Sequence, residues 1–196
     1  ALSYARCRPP GHHAGTDMCG GYCYLNNAAV AADILSQHGN VAILDIDIHH
    51  GNGTQQIFAA RADVLFVSLH GHPDECYPYF MGFADEHGHG AGVGTTINIP
   101  LAFGCDDETY LAHIDVALGH IRAHGATALV LSAGFDTFGG DPLGGFALTR
   151  QCYTAIGARC AALGIPIVVI QEGGYAVAAL GENVVALLDG LTGRAR

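Results

Sequence analysis

A chain of 196 residues, half of them hydrophobic and 13% charged, is long enough to bury a core as one domain, and too apolar to be disordered. Its formal net charge of -10 argues against a nucleic-acid groove lined by clustered Lys and Arg, and it suits a cationic substrate. No apolar run reaches membrane-spanning length and no signal peptide opens the chain. Seven cysteines without CxxC spacing read as reduced thiols of a cytoplasmic protein.

The first stretch with chemical character is "RPPGHHAG", residues 8–15, where Pro and Gly fix a loop that carries the adjacent imidazoles of His12 and His13. The ordinary pKa of histidine lies near operating pH, so such a ring can take a proton and then return it. A helix is expected over 26–38. Residues 41–46 form a continuous apolar run, the pattern of a strand buried on both faces of a parallel sheet. That run passes into "DIDIHHGNG", residues 45–53. On an extended strand Asp45, Asp47 and His49 share one face. Asp47 and His49 then offer a carboxylate oxygen and an imidazole nitrogen, donors suited to Zn(II), Fe(II) or Mn(II). His50 points the other way and reads as structural, while Asp45 and Asn52 are available to fix the tautomers of His12 and His13.

A helix over 55–60 and a strand over 64–69 follow. Residues 70–103, rich in Gly, His and Pro, are expected to form a long irregular loop. His70, His72, His87 and His89 within it read as solvated, with an accessory metal site as the alternative. Next come a helix over 108–124 and a strand over 128–132, which runs into "SAGFDTFGGDP". Asp136 stands just past that strand, placed to be a third metal ligand. Three protein ligands leave a position open for water or substrate, as in a catalytic site. A helix over 149–163, a strand over 165–170 and a helix over 179–191 complete the series. The last strand leads into "EGGY", where Tyr175 offers a hydroxyl to a developing oxyanion. This alternation predicts an α/β fold with helices on both faces of a parallel sheet. In such sheets ligands bind beyond the carboxyl ends of the strands, the rim on which these motifs converge.

Taken together, the motifs resemble the histone deacetylase superfamily, and specifically its bacterial acetylpolyamine amidohydrolase branch. "RPPGHHAGTDMCGGYCYLNNAAVAA", "AILDIDIHHGNGTQQIF", "VSLHGHPDECYPYFMGFADEHGHGAG", "SAGFDTFGGDPL" and "EGGY" occur in family order across essentially the whole chain. The resemblance implies an arginase/deacetylase-like three-layer α/β fold with a mainly parallel sheet. It also implies zinc-dependent removal of an acetyl group from an acetylated polyamine or an acetyl-lysine peptide. By motif, Asp47, His49 and Asp136 would hold Zn(II), or Fe(II) on the same ligands. His13 would be general base and then acid, with His12 beside it, Asp45 paired to His12 and Asn52 to His13. Tyr175 would polarise the acetyl carbonyl. A K+ or Na+ ion would involve Asp45, Asp47, His49, Ser68 and Leu69, partly through backbone oxygens. Tyr22 and Tyr77 match aromatic walls of an acyl-lysine tunnel, and Gly21, Gly173 and Gly174 would complete the substrate-binding set.

Two departures from the family pattern carry expectations of their own. Family members normally have a long segment before "RPPGHHAG". A chain without it would leave a sheet edge open and self-associate as a homo-oligomer. Many relatives also have Asp where Asn52 stands, and neutral Asn would stabilise a protonated His13 less. Two other readings remain open: a zinc-binding fragment acting as a binding module, and an arginase-like ureohydrolase with two Mn ions. The second would need further bridging carboxylates.

Overall fold

The computed structural model describes residues 1–194. In chain order its elements are β1 (Leu2–Ala5), α1 (Asn27–Ser36), β2 (Val41–Asp45), α2 (Asn52–Phe58), β3 (Val64–Gly71) and β4 (Thr96–Leu101). They continue with α3 (Asp107–His124), β5 (Ala128–Ala133), α4 (Arg150–Ala161), β6 (Ile167–Gln171) and α5 (Val177–Thr192). The strands form one sheet in the order β1-β6-β5-β2-β3-β4, and every pairing is parallel.

The two-residue period of β2 divides the core. Ala42 and Leu44 face a cluster built with Ile114 and Leu118 of α3, Tyr153 of α4 and Leu187 of α5. Val41 and Ile43 face the other side, with Ala28 and Ala32 of α1 and Phe58 of α2. The fold is therefore three-layered, α3–α4–α5 on one face and α1–α2 on the other. All five β2 residues are buried, which explains why the strand reads as an uninterrupted apolar run.

Helix ends follow local chemistry. The Asn26 side chain accepts from Ala29 N and starts α1; Asp106 accepts from Thr109 N and starts α3. Asp107 and Glu108 occupy the first turn of α3 and Arg122 and His124 the last, complementing the helix dipole.

Three expectations need correction. β1 was not expected: it is a four-residue edge strand defined by its pairing with β6, opposite Ile167–Ile170. The expected loop over 70–103 contains β4, and β3 extends to Gly71. β4 is an edge strand, which tolerates Pro100. His70 consequently lies buried in β3, its Nδ1 at 2.9 Å from Ser68 Oγ and its Nε2 at 2.9 Å from Gly82 O. His87 and His89 are exposed. Among the described residues the one cluster of three metal-type ligands is Asp47, His49 and Asp136, so the accessory histidine site has no support. No helix of the described residues is long and apolar enough to cross a membrane.

Candidate active site

β2 ends at Asp45, one residue earlier than expected, and the common orientation of Asp45, Asp47 and His49 arises from bends rather than from an extended strand. Asp45 Oδ1 accepts from Asp47 N at 3.1 Å, and Asp47 Oδ1 accepts from His49 N at 2.9 Å. Each short carboxylate thus holds the backbone two residues on, a turn-forming habit of Asp. Asp136, three residues past β5, accepts from Ile48 N through Oδ1 at 2.9 Å. His49 Nδ1 donates to Asp47 Oδ1 at 3.0 Å and to Asp136 Oδ2 at 3.1 Å. One ligand atom from each of the three lies within 4.8 Å of the others.

Both carboxylates are fully buried, and His49 is nearly so. Burial, then the charge of Asp47, pushes Asp136 above the usual carboxylate range. Burial acts on Asp47 in the same sense, yet the His12 charge and the His49 hydrogen bond hold it below that range. Two buried carboxylates converging on one imidazole nitrogen are a donor set that fits a divalent metal such as Zn(II) or Fe(II). Three ligands, one of them facing a pocket, leave room for a substrate atom.

Beside this triad the two imidazoles are driven to opposite charge states. His12 Nδ1 donates to Asp45 Oδ2 at 3.0 Å. Burial works against its charge, but Asp45 and Asp47 overcome it and raise the His12 pKa to about 10. His13 Nδ1 donates to Asn52 Oδ1 at 2.7 Å, which leaves Nε2 as the basic nitrogen. Burial, then the His12 charge, lowers the His13 pKa to about 3. The ring centroids are only 4.1 Å apart, so a cation and a neutral base stand side by side.

Backbone contacts fix both reactive loops. Gly53 N and Thr54 N, at the start of α2, donate to His12 O, and Asn26 Nδ2 donates to Ala14 O. Helix α2 begins at Asn52, three residues before its expected start, and this brings the Asn52 amide to His13. Asp141 Oδ2 accepts from Tyr175 N at 2.6 Å and Ala176 N at 2.8 Å. Burial, then Asp47 and Asp136, raises the Tyr175 pKa, so its phenol stays protonated and can donate.

His13, Gly21, Tyr22, His49, Tyr77, Leu143 and Tyr175 line a pocket of about 400 Å³. Tyr77 meets the His13 ring edge-on at 5.0 Å, and Tyr22 lies 6.1 Å from Tyr175. Gly21 has φ +52°, and a Cβ there would sit 2.1 Å from His13 Cδ2, so only glycine fits. His12, Asp45 and Asn52 stand behind this surface. Gly173 and Gly174 do not line it: Gly173 N donates to Asp47 Oδ2 at 2.9 Å from beneath the triad, and Gly174 packs on Phe135. Ser68 is the register partner of Asp45 on β3, next to the buried Leu69. Ser68 and Leu69, within β3, thus lie beside the carboxyl end of β2. His50 is buried, with Nε2 at 3.0 Å from Gln55 Oε1 and its ring 4.6 Å from that of His70, as a structural residue would be.

The sequence reading missed Leu143, Asp141 and Glu172. Both acids sit inside motifs it singled out, next to glycines, but nothing in their spacing says which amides they meet.

The histone deacetylase domain family matches residues 2–191. The acetylpolyamine amidohydrolase of Mycoplana ramosa is 51% identical over 193 residues, covering 97% of this chain and 57% of that protein. Acetylpolyamine amidohydrolase 1 of Pseudomonas aeruginosa is 52% identical over 196 residues, covering 99% and 57%. The crystal structure of an acetylpolyamine aminohydrolase from Burkholderia pseudomallei superposes with a TM-score of 0.96 at 45% identity, covering 98% of this chain and 57% of that one. The chain thus spans little more than half the length of these relatives. In fold, in motif order and in the match over nearly its whole length, this chain belongs to the histone deacetylase domain family.

Proposed function

We propose that the chain hydrolyses the amide bond of acetylated amines, with acetylated polyamines preferred over acetyl-lysine peptides. The observation that carries this reading is the convergence of a neutral imidazole, a protonated phenol and a carboxylate–imidazole triad on one pocket. Relatives about 50% identical and named for acetylpolyamine support the substrate class, and a net charge of -10 suits a polycation.

When held by Asp47, His49 and Asp136, a divalent cation, zinc or iron(II), supplies Lewis acidity at the acyl oxygen and acidifies water. The chain's own residues do the rest. His13 Nε2 takes the proton of the attacking water, because Nδ1 is committed to Asn52. The same nitrogen then returns a proton to the departing amine. The Tyr175 hydroxyl donates to the acyl oxygen as negative charge develops there. His12 stays cationic against Asp45 and offsets the buried negative charge around it. Tyr22 and Tyr77 flank the acyl chain, and their ring faces favour a nearby ammonium group.

A K+ or Na+ ion beside Asp45, Asp47, His49, Ser68 and Leu69 and a homo-oligomeric state belong to the same proposal. So does a cytoplasmic location, which the seven free thiols support. Among the described residues a single three-ligand cluster favours this hydrolase over a two-manganese ureohydrolase.

The test is acetate release by the zinc-loaded chain from N-acetylputrescine, acetylspermidine and an acetyl-lysine peptide. Turnover highest on the polyamines is expected. No acetate from any of them, with zinc bound one per chain, would favour a binding module instead.

A further inference from the structure

We infer that Glu172 is a positioning residue that holds the histidine loop in register with the tyrosine loop by capturing backbone amides; this rests on the roles proposed for His13 and Tyr175. Glu172 directly follows β6, is 4% exposed and does not line the pocket. Its Oε2 accepts from Gly11 N at 2.7 Å and from His12 N at 3.2 Å, across more than 150 residues of sequence. Its Oε1 accepts from Ser132 Oγ at 2.7 Å, at the end of β5. Its own amide donates to Ala133 O at 2.9 Å. One carboxylate therefore joins the loop bearing both imidazoles to the turn that supplies Gly173, beneath the metal triad, and Tyr175, on the pocket wall.

Buried amides require a partner, and in this loop the carboxylate provides it for two consecutive residues. His12 O is held from the opposite side by Gly53 N and Thr54 N, so the peptide on either side of His12 is clamped. A shift of the Glu172 side chain moves the base relative to the phenol, and reacting groups tolerate little displacement.

Position and charge are separable. A glutamine can accept both amides through its carbonyl oxygen and donate its NH2 to Ser132 Oγ, keeping the geometry without the charge. An aspartate keeps the charge, but one methylene shorter it cannot reach both Ser132 and Gly11.

Glu172→Gln, Glu172→Asp and Glu172→Ala are compared in the zinc-loaded chain. The readouts are kcat and KM on N-acetylputrescine and amide hydrogen exchange at Gly11 and His12, the last of which needs no activity. Glu172→Asp is expected to lower kcat roughly 100-fold with little change in KM, the loss typical of misplaced reacting groups. Exchange at Gly11 and His12 should accelerate while the β2 amides stay protected, and Glu172→Gln should restore both kcat and protection. Glu172→Gln as impaired as Glu172→Asp, or unchanged loop exchange in Glu172→Asp, would overturn the inference. If Glu172→Ala does not fold, the Gln–Asp comparison still decides it. If the parent chain releases no acetate, the proposed function fails, and the exchange data alone judge the positioning.

Discussion

The side-chain oxygen of Asn52 accepts a 2.7 Å hydrogen bond from His13 Nδ1, and this contact decides which nitrogen of the pocket imidazole is basic. Asn52→Asp replaces a neutral acceptor with a charged one at the same distance. A neighbouring negative charge favours the imidazolium, so the His13 pKa rises and the ring is protonated to higher pH. The acid limb of the kcat/KM profile should move upward by on the order of one pH unit, as expected for an adjacent opposite charge. A limb that stays in place would show that another group controls it.

Tyr175→Phe removes the only pocket-lining phenol whose amide is fixed by Asp141. Zinc content should be unchanged, because the hydroxyl is not in the ligand cluster. Turnover should fall by roughly 100- to 1000-fold, the usual cost of one oxyanion donor. Near-normal turnover would remove Tyr175 from the chemistry.

His49 Nδ1 donates to two carboxylates, and although burial opposes the charge, those bonds raise its pKa to about 11. Metal uptake at the same atom must expel that proton, so the sign is fixed: affinity grows as pH rises. Above the raised pKa of Asp136, titration of the chelator-stripped chain should release about one proton per zinc, with apparent affinity rising about tenfold per pH unit up to the His49 pKa. Asp136→Ala should abolish stoichiometric binding; unchanged metal content would strike Asp136 from the ligand set.

Gly173 approaches the triad so closely that a Cβ there would lie 2.4 Å from Asp136 Oδ2 and 2.6 Å from Asp47 Oδ2. Both carboxylates are buried and tethered through their Oδ1 atoms by Ile48 N and His49 N, which limits how far either can retreat. Gly173→Ala should weaken metal binding by about 10- to 100-fold, the range for disturbing groups that orient ligands. Equilibrium competition with a chelator measures this directly, and wild-type affinity would show that the turn can shift aside.

What could be read from the sequence follows burial. β2 and β5 are covered on both faces and announced themselves as apolar runs. β1 and β4 lie at the sheet edges, carry mixed side chains, and are strands only because β6 and β3 pair with them. That Asp47, His49 and Asp136 come together was legible because the α/β pattern places them at neighbouring strand ends. Glu172 and Asp141 were not, since a carboxylate that captures distant amides leaves no spacing in the chain. Gly173 was expected on the substrate side because a missing side chain does not say which neighbour fills the gap.

The position of β1 has a consequence for synthesis. Among the described residues, the first strand is paired only with the last, Leu2 opposite Ile167. During translation β1 must wait, without this partner, until β6 has left the ribosome. The histidine loop follows the first strand and receives its Glu172 partner only then. Long-range closure of this kind is slow and comes late. A nascent or prematurely terminated product ending before β6 can form the central strands yet lacks the contacts that set its imidazoles. The setting of the imidazole loop is therefore completed only once β6 and Glu172 have been made.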